Sequence, residues 1–135
     1  MTDFIRVTDN FHVAPQISVE DVAKVAREGF TLLINNHPDG EVPGQPAHEE
    51  IQAAATAERL YCVHIPVIGL PTPRQAEAVH ECLEANARVL AFCRSGTRSI
   101  NTWAMGEAMA GARSHAEIIA LGDAAGYDLR PLLGN

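Results

Sequence analysis

Five short apolar runs along the chain have the composition of β-strands, and segments with helical periodicity separate the later ones. The first two runs flank the turn residues 8–10 and predict a small N-terminal hairpin. The three later runs are apolar almost throughout, which indicates strands buried on both faces of a sheet. The five runs are residues 4–7, 11–14, 31–35, 61–67 and 88–93.

Five further segments carry apolar residues at helical spacing. Ser18, Thr72 and Ser114 are placed to cap three of these helices. Gly29 and Gly126 are placed to end two of them. Because strand and helix alternate from residue 18 onward, we predict an α/β fold in three layers, with a mostly parallel central sheet of about five strands flanked by helices. The helical segments are residues 18–28, 47–59, 73–85, 97–110 and 115–125.

Length and composition predict a single domain over residues 1–135, since 47% of the residues are hydrophobic and 20% are charged, close to the globular average. Ten Lys and Arg against 17 Asp and Glu give a net charge of −7, which argues against binding to nucleic acid or anionic membranes.

No apolar run reaches the roughly 20 residues that span a bilayer, and the first residues lack a signal-peptide pattern. The three cysteines include no CxxC pair, so Cys62 and Cys82 are expected to be core thiols, in a cytoplasmic protein.

The segment FCRSGTRS, residues 92–99, carries the most informative chemistry. Cys93 ends the last predicted strand, and a short loop leads from it into a helix. At this edge of an α/β sheet, free backbone N–H groups and the helix dipole attract anions. We therefore predict an anion site in which Arg98 grips two oxygens and Arg94 adds charge. The residues predicted to form it are Arg94, Ser95, Gly96, Thr97 and Arg98.

The same positive field acts on the sulfur of Cys93. A helix N-terminus and two nearby arginines favour a thiolate over a thiol. We therefore expect Cys93 to be a nucleophile that faces a preformed anion pocket. The alternative is a buried cysteine before an ordinary helix cap, but two arginines at a helix N-terminus oppose its dipole unless an anion offsets their charge.

Three segments, FCRSGTRS, INNHPDGEVPGQP and YCVHIPV, resemble those of one known family. They look like the beta-lactamase-hydrolase-like, phosphatase-like domain family, and the likeness covers residues 10 to about 109. It implies a small relative of the dual-specificity phosphatases, with Cys93 as nucleophile and Arg98 as oxyanion clamp. It also implies that the Ser99 hydroxyl can hydrogen-bond the Cys93 sulfur.

Two features depart from the pattern of those phosphatases. They place five residues between the cysteine and the arginine, whereas four separate Cys93 from Arg98. This shorter ring is similar to the rhodanese sulfurtransferase loop and suits a persulfide better than a phosphate. The loop at residues 68–73, where the phosphatases carry an aspartate as general acid, contains no acid. Asp39 or Glu41 could substitute if their loop folds over the site, although Asp39 in Pro-Asp-Gly is otherwise a turn residue.

Three functions fit these residues. The first is sulfur transfer, in which Cys93 takes a sulfane sulfur and passes it to a thiol acceptor; the short ring and the missing acid favour it, because no leaving oxygen needs a proton. The second is hydrolysis of phosphate monoesters through a thiophosphate on Cys93, with activated aryl phosphates needing the least protonation. The third is a non-catalytic module that binds anions. The ligand is a small oxyanion or a persulfide in each case, and no cofactor is implied.

Other polar residues have roles that the sequence leaves open. Asn35 and Asn36 either orient the Cys93 loop or close a turn. His37, on the loop after the strand at 31–35, either binds anions weakly and in a pH-dependent manner or is a solvated histidine. The six histidines are scattered without a metal-binding pattern, so no metal site is predicted. Residues 130–135 are predicted to form a tail that packs or frays.

Overall fold

A five-stranded sheet runs through the middle of the computed structural model, which describes residues 2–134. The strands are β1 (Ile5–Arg6), β2 (Phe11–Ala14), β3 (Leu32–Asn35), β4 (Tyr61–His64) and β5 (Val89–Phe92). Their order in the sheet is β1-β2-β5-β3-β4. The pairing of β1 with β2 is antiparallel and that of every other neighbouring pair is parallel. The predicted hairpin and the mostly parallel sheet are both confirmed.

Helices connect the strands and cover both faces of the sheet. They are α1 (Asp21–Arg27), α2 (His48–Ala57), α3 (Pro73–Ala85), α4 (Thr97–Ala110), α5 (His115–Ala125) and α6 (Arg130–Leu133). Within residues 2–134, no helix combines the length and the apolar character that crossing a membrane requires.

Side chains of the strands alternate between two cores, as expected for a sheet covered on both faces. Leu33, Leu90 and Phe92 belong to the core completed by residues of α1 and α2. Leu32 and Ile34 belong to the second core, which α3, α4 and α5 complete. The three-layer α/β fold is therefore confirmed.

Local capping explains why most helix boundaries follow the prediction. Thr72 Oγ1 accepts a hydrogen bond from Gln75 N, and Ser114 Oγ accepts one from Glu117 N, at 3.2 and 3.1 Å. The first helix differs, since α1 begins at Asp21 and not next to Ser18. The N–H of Asp21 donates to the Ser18 carbonyl, a spacing that makes a tighter turn than an α-helix.

Two other elements also differ from the prediction. β4 ends at His64 although the apolar run continues to residue 67, and beyond it Ile65 N and Val67 N still donate to Asn35 O and Asn36 O, at 2.9 and 3.0 Å. The tail of the chain forms the short helix α6, whereas residue 135 lies outside the described part. Leu129, just before α6, is fully buried, so the tail packs against the domain.

The carboxyl ends of three strands meet at one edge of the sheet. Cys93, directly after β5, donates its N–H to Ala14 O of β2 at 3.4 Å. Asn36, directly after β3, donates its N–H to Phe92 O at 2.8 Å. The loops that follow β2, β3 and β5 are therefore held side by side, and they carry the polar residues singled out above.

The crossing of α3 and α4 gives a test of this packing. A Cβ on Gly106 would lie 2.7 Å from the Ala76 carbonyl oxygen, so we expect Gly106→Ala to lower the free energy of unfolding by about 1–3 kcal/mol. Helix propensity alone favours alanine by roughly 0.5–1 kcal/mol. The sign of the change in the free energy of unfolding therefore shows whether the close crossing or the helix propensity dominates. Urea unfolding measures it, with Asn101→Ala on the same helix as a control within about 0.5 kcal/mol of wild type. A stabilised Gly106→Ala would contradict the close crossing.

Candidate active site

Cys93 lies between the end of β5 and the start of α4, and its side chain is fully buried. Its Sγ accepts a hydrogen bond from the backbone N–H of Gly96, at a distance of 3.1 Å. Gly96 is the N-cap of α4 and has a φ of 90°, which is the left-handed region that favours glycine. The predicted nucleophile therefore sits at the positive end of a helix dipole, where negative charge is stabilised.

Tyr127 supports the Cys93 loop from the opposite end of the chain. Its hydroxyl donates a hydrogen bond to the Ser95 carbonyl at 2.9 Å. Burial raises the pKa of Tyr127, so the hydroxyl keeps its proton and stays a donor. A Cβ on Gly96 would lie 2.2 Å from the Tyr127 Oη. Sequence reasoning missed this residue, because no motif marks it and the chain separates it from Ser95 by 32 residues.

Glu41 and Val67 hold the side chain of Arg98. The Nη1 of Arg98 donates to Glu41 Oε2 at 3.0 Å and to the Val67 carbonyl at 2.8 Å. Its Nη2 donates to Glu41 Oε1 at 2.7 Å. The contact with Glu41 is thus bidentate at the tip of the guanidinium, which fixes its orientation as well as its position.

These contacts leave one edge of the Arg98 guanidinium available for a ligand. A guanidinium has five N–H donors, and the contacts with Glu41 and Val67 use both donors of Nη1 and one of Nη2. Within residues 2–134, the Nε donor and the second Nη2 donor have no hydrogen-bond partner. Two parallel donors on one edge match two oxygens of a phosphate or a sulfonate.

Glu41 is present as a carboxylate in this arrangement. The hydrogen bonds from Arg98, opposed only in part by burial, hold the pKa of Glu41 below its ordinary value. The same hydrogen bonds raise the pKa of Arg98, so this cation is permanent. Glu41 was expected as a substitute general acid if its loop folds over the site, and the loop does so, but the side chain is paired with the clamp.

His37 lies behind Glu41 and is buried, with an exposed fraction of 1%. Its Nδ1 contacts Gln16 Oε1, and its Nε2 lies 3.0 Å from Glu41 Oε1. Burial first, and then the charges of Arg98 and Arg94, lower the pKa of His37, while Glu41 opposes this shift. The expectation of a solvated loop histidine is therefore wrong. The ring is enclosed and touches the residue that orients the clamp.

Asn35, the last residue of β3, and Asn36, which follows it, brace the loop beyond β3 and the start of α4. Asn36 Oδ1 accepts a hydrogen bond from the Ser99 hydroxyl at 2.8 Å, and Asn36 Nδ2 donates to Ile65 O. Asn35 Oδ1 accepts the backbone N–H of His37 at 2.9 Å. Asn36 thus ties α4 to the sheet, while Asn35 shapes the turn at His37.

Ser99 departs from the role that the resemblance implies. Its one hydroxyl proton goes to Asn36 Oδ1, whereas the hydrogen bond to the Cys93 sulfur comes from Gly96 N. The physical reason is that Asn36, buried beside α4, presents an acceptor oxygen that would otherwise be unpaired. Ser99 therefore acts in this arrangement as a brace between α4 and the loop after β3.

The other predicted residues fall into two groups. Arg94, Ser95 and Thr97 are exposed on the Cys93 loop, and Ser95 Oγ donates to Thr97 Oγ1 at 3.1 Å. Asp39 does not join them, because its Oδ1 accepts the N–H of His48, the first residue of α2, at 2.9 Å. Asp39 therefore caps the N-terminus of α2. Its position does not support a role as general acid.

A cavity of about 340 Å³ opens beside the anion loop. His37, Arg94 and Gln16 form its polar side, and the loop of residues 42–46 forms its apolar side. Within residues 2–134, no group of three or more His, Cys, Asp or Glu side chains is arranged to hold a metal ion. The site offers a sulfur, a guanidinium edge and backbone N–H groups for an oxyanion, and the cavity meets the loop that carries them at Arg94.

Comparison with protein families gives a match to the phosphatase-like domain of beta-lactamase hydrolase-like proteins over residues 3–110. The beta-lactamase hydrolase-like protein of Agrobacterium fabrum (strain C58) is 34% identical to this chain over 128 residues. That alignment covers 93% of this chain and 30% of the relative. The chain therefore spans about 30% of the length of the curated relatives that it matches.

Two solved structures show how widely this fold occurs. A candidate phosphatase from Neisseria meningitidis superimposes with a TM-score of 0.81 and 26% identity, over 94% of this chain and 91% of that one. A Cys-to-Ser variant of P. aeruginosa TpbA, in complex with phosphotyrosine, gives a TM-score of 0.68 and 14% identity, over 97% of this chain and 80% of that one. The fold is that of the tyrosine and dual-specificity phosphatases.

Gly96→Ala tests the geometry of the anion loop. The new Cβ would combine a positive φ with a clash against Tyr127 Oη, so we expect the loop to shift and unfolding to become easier by about 1–3 kcal/mol. Binding of vanadate or sulfate should weaken at the same time, as measured by calorimetry. Gly29→Ala, just beyond α1, also has a positive φ but meets nothing within 4 Å, so it is the matched control and should leave anion binding unchanged. Equal effects of the two variants would contradict the role assigned to Tyr127.

Proposed function

Because the chain belongs to the family of the phosphatase-like domain of beta-lactamase hydrolase-like proteins, we propose that it hydrolyses phosphate monoesters with Cys93 as nucleophile. One observation carries this proposal. The buried sulfur at the N-terminus of α4 and the available edge of Arg98 belong to one loop of six residues. That combination provides an attacking atom and a bidentate grip for the group under attack.

The first step transfers the phosphoryl group to the enzyme. The Cys93 thiolate attacks phosphorus, so that an S–P bond forms while the P–O bond to the leaving group breaks with its electron pair. The Nε/Nη2 edge of Arg98 and the backbone N–H groups of the loop hold the equatorial oxygens, whose charge is spread in the transition state. The leaving oxygen departs as an alkoxide or a phenoxide, or takes a proton as it leaves.

The second step returns the enzyme to its starting state. Water attacks the phosphorus of the thiophosphate, the S–P bond breaks, and Cys93 leaves as a thiolate. The water gives up one proton in this step, and inorganic phosphate is released. The oxygen clamp is the same in both steps, so a single orientation of Arg98 serves the whole cycle.

Substrates with acidic leaving groups suit the site best. The loop after Val67 offers no carboxylate or imidazole, and Asp39 caps α2. Phenols need far less protonation than alkyl alcohols when they leave, so we propose aryl phosphates as the preferred class. The structural likeness to TpbA, which was solved with phosphotyrosine, supports this choice.

Turnover of p-nitrophenyl phosphate and phosphotyrosine tests the proposal. We expect Cys93→Ser to lower kcat by about 10³–10⁶-fold, because the covalent route is lost. Cys62→Ser and Cys82→Ser serve as matched controls, since both thiols lie away from the loop, and burial raises the pKa of Cys62 to about 11. Full activity in Cys93→Ser, or insensitivity of the wild type to vanadate, would contradict the proposal.

Sulfur transfer is the second candidate, although the sequence favours it on the size of the ring. The family and the structural neighbours favour the phosphatase, whereas the ring of four residues between Cys93 and Arg98 favours sulfur. In this reaction the thiolate attacks the outer sulfur of thiosulfate, an S–S bond forms, and sulfite leaves with the electron pair of the broken S–S bond. A thiol acceptor then takes the sulfur from the persulfide, and no leaving oxygen needs a proton.

Incubation with thiosulfate and cyanide distinguishes the two candidates. A sulfurtransferase should form thiocyanate at a rate that depends on Cys93, and the protein should gain the mass of one sulfur atom when cyanide is left out. Cys62→Ser is again the control. If neither product appears while p-nitrophenyl phosphate is hydrolysed, sulfur transfer is excluded; thiocyanate without phosphate release would favour it instead.

A further inference from the structure

We propose that His48 and His64, the histidine pair, are positioning residues for Arg98. As a neutral, stacked pair they hold the turn at residues 37–39, and a proton on His48 releases that turn. The inference deepens the proposed function and rests on it, because the turn leads to Glu41, the residue that orients the guanidinium of Arg98. It makes the orientation of the clamp sensitive to pH through groups outside the anion loop.

The rings of the histidine pair stack where α2 starts and β4 ends. Their centroids lie 4.3 Å apart, and their planes differ by 10°. Asn35 of β3 is the register partner of His64 in the sheet, so it lies beside the pair. Both rings are half-buried, and a charge on either ring would lie against its neighbour with little solvent between them.

The hydrogen bonds of Asn35 fix the protonation state of His48. The backbone N–H of His37 donates to Asn35 Oδ1 at 2.9 Å, so the amide nitrogen Nδ2 faces His48 Nδ1, at 3.1 Å. An amide nitrogen only donates, so Nδ1 is the acceptor and carries no proton. This contact therefore exists only while the His48 ring is neutral.

The second ring holds the same turn from its other side. His64 Nε2 donates to the His37 carbonyl at 3.0 Å, while the His37 N–H is bound by Asn35. Both backbone polar groups of His37 are thus held. At the far end of the turn, Asp39 Oδ1 accepts the backbone N–H of His48 at 2.9 Å. The histidine pair therefore contacts the turn at both ends.

Glu41 follows this turn by two residues, and its carboxylate binds both Nη atoms of Arg98. A held turn fixes where that carboxylate lies and, through it, how the guanidinium is oriented. A released turn lets both side chains move. Catalysis should then slow, because the donors of Arg98 are no longer preorganised for the transition state.

The charged groups around His48 set the pH at which it takes up a proton. Burial, and then the neighbouring ring of His64, lower the pKa of His48. Asp39 of the turn and Glu49 of α2 oppose this shift, and Asn35 is a neutral donor. His48 is also the first residue of α2, where the helix dipole disfavours a cation. The ring is therefore neutral at pH 7 while the turn is held.

Release of the turn restores the ordinary affinity of His48 for a proton, which corresponds to a pKa of about 6.5. Because the held turn lowers this pKa, the free energy that holds the turn is fully present above pH 6.5 or so and is lost as the pH falls below it. One proton taken up on release raises the equilibrium constant for release by up to about tenfold per pH unit. Acid therefore favours the released turn.

Hydrogen exchange of the His37 amide measures the turn directly and needs no substrate. In the wild type we expect its protection factor, corrected for the intrinsic exchange rate, to fall by up to about tenfold per unit as the pH falls below about 6.5. Amides of the central strand β5 report global unfolding. They are the internal reference, and their protection should fall less.

Two substitutions at position 48 separate the charge of the ring from its hydrogen bond. His48→Asn gives Asn35 an acceptor oxygen that does not titrate, so protection of the His37 amide should stay high and no longer depend on pH. His48→Leu has no acceptor, so protection should be about 5–10-fold lower already at neutral pH. His115→Asn, on the exposed surface of α5, is the matched control and should behave as the wild type.

The second ring gives a further variant. His64→Gln keeps a donor for the His37 carbonyl but removes a titrating ring next to His48, so the loss of protection should begin at a higher pH. A pH dependence that persists in His48→Asn would assign the proton to another group, such as the buried His37, and would contradict the inference. A wild type without this pH dependence would contradict it as well.

The pH profile of p-nitrophenyl phosphate turnover connects the turn to catalysis. We expect His48→Leu to lower kcat by about tenfold at neutral pH. His48→Asn should keep the wild-type kcat there and retain it further into the acid range. Ionisation of the substrate is common to all variants, so a difference between their profiles reports the histidine pair. An unchanged kcat in His48→Leu, despite lost protection of the His37 amide, would contradict the effect on Arg98.

The outcomes separate this inference from the proposed function. If hydrolysis depends on Cys93 but exchange of the His37 amide does not vary with pH, the inference is wrong and the proposed function stands. If exchange varies as expected while no phosphate ester is hydrolysed, the proposed function is wrong, and only the control of the turn by the histidine pair stands.

Discussion

The hydrogen bond from Gly96 N to Cys93 Sγ, 3.1 Å long, is the constraint around which the site is organised. It requires a residue with positive φ at the N-cap of α4, and it requires that the loop close over only two intervening residues. A glycine meets the first requirement without strain. The second requirement, closure of the loop over two residues, is met because β5 is buried between two cores and fixes the position of the Cys93 backbone.

Three neighbouring segments keep that loop from relaxing. Asn36 and Ser99 tie the first turn of α4 to the loop after β3, Tyr127 binds the Ser95 carbonyl, and Glu41 holds Arg98. Each tether comes from a different part of the chain, so the site is assembled only when the whole domain is folded. Such preorganised donors lower a transition-state barrier because they need no rearrangement as charge develops.

The chemistry that we propose for the loop depends on which donors of Arg98 are available. With Glu41 on its tip, the guanidinium presents only its Nε/Nη2 edge, which is enough for two oxygens. Separately, the loop is one residue shorter than in the phosphatases that it resembles. The fold, the clamp and the family favour phosphoryl transfer, and the ring size favours sulfur. Both proposed reactions use Cys93 as the nucleophile, so in either proposal the groups around the loop select the substrate.

The sequence by itself determined the order of elements, the parallel sheet and the location of the loop with its cysteine and arginine. Those features follow from local patterns: apolar runs, caps such as Thr72 and Ser114, and a cysteine placed between a strand and a helix. The tertiary structure alone decided that Ser99 serves Asn36, that Asp39 caps α2, that His37 is buried, and that Tyr127 and Gln16 belong to the site. These residues are joined by contacts across 9 to 63 positions of the chain, and a hydrogen bond between distant residues leaves no periodicity or spacing for a sequence pattern to register.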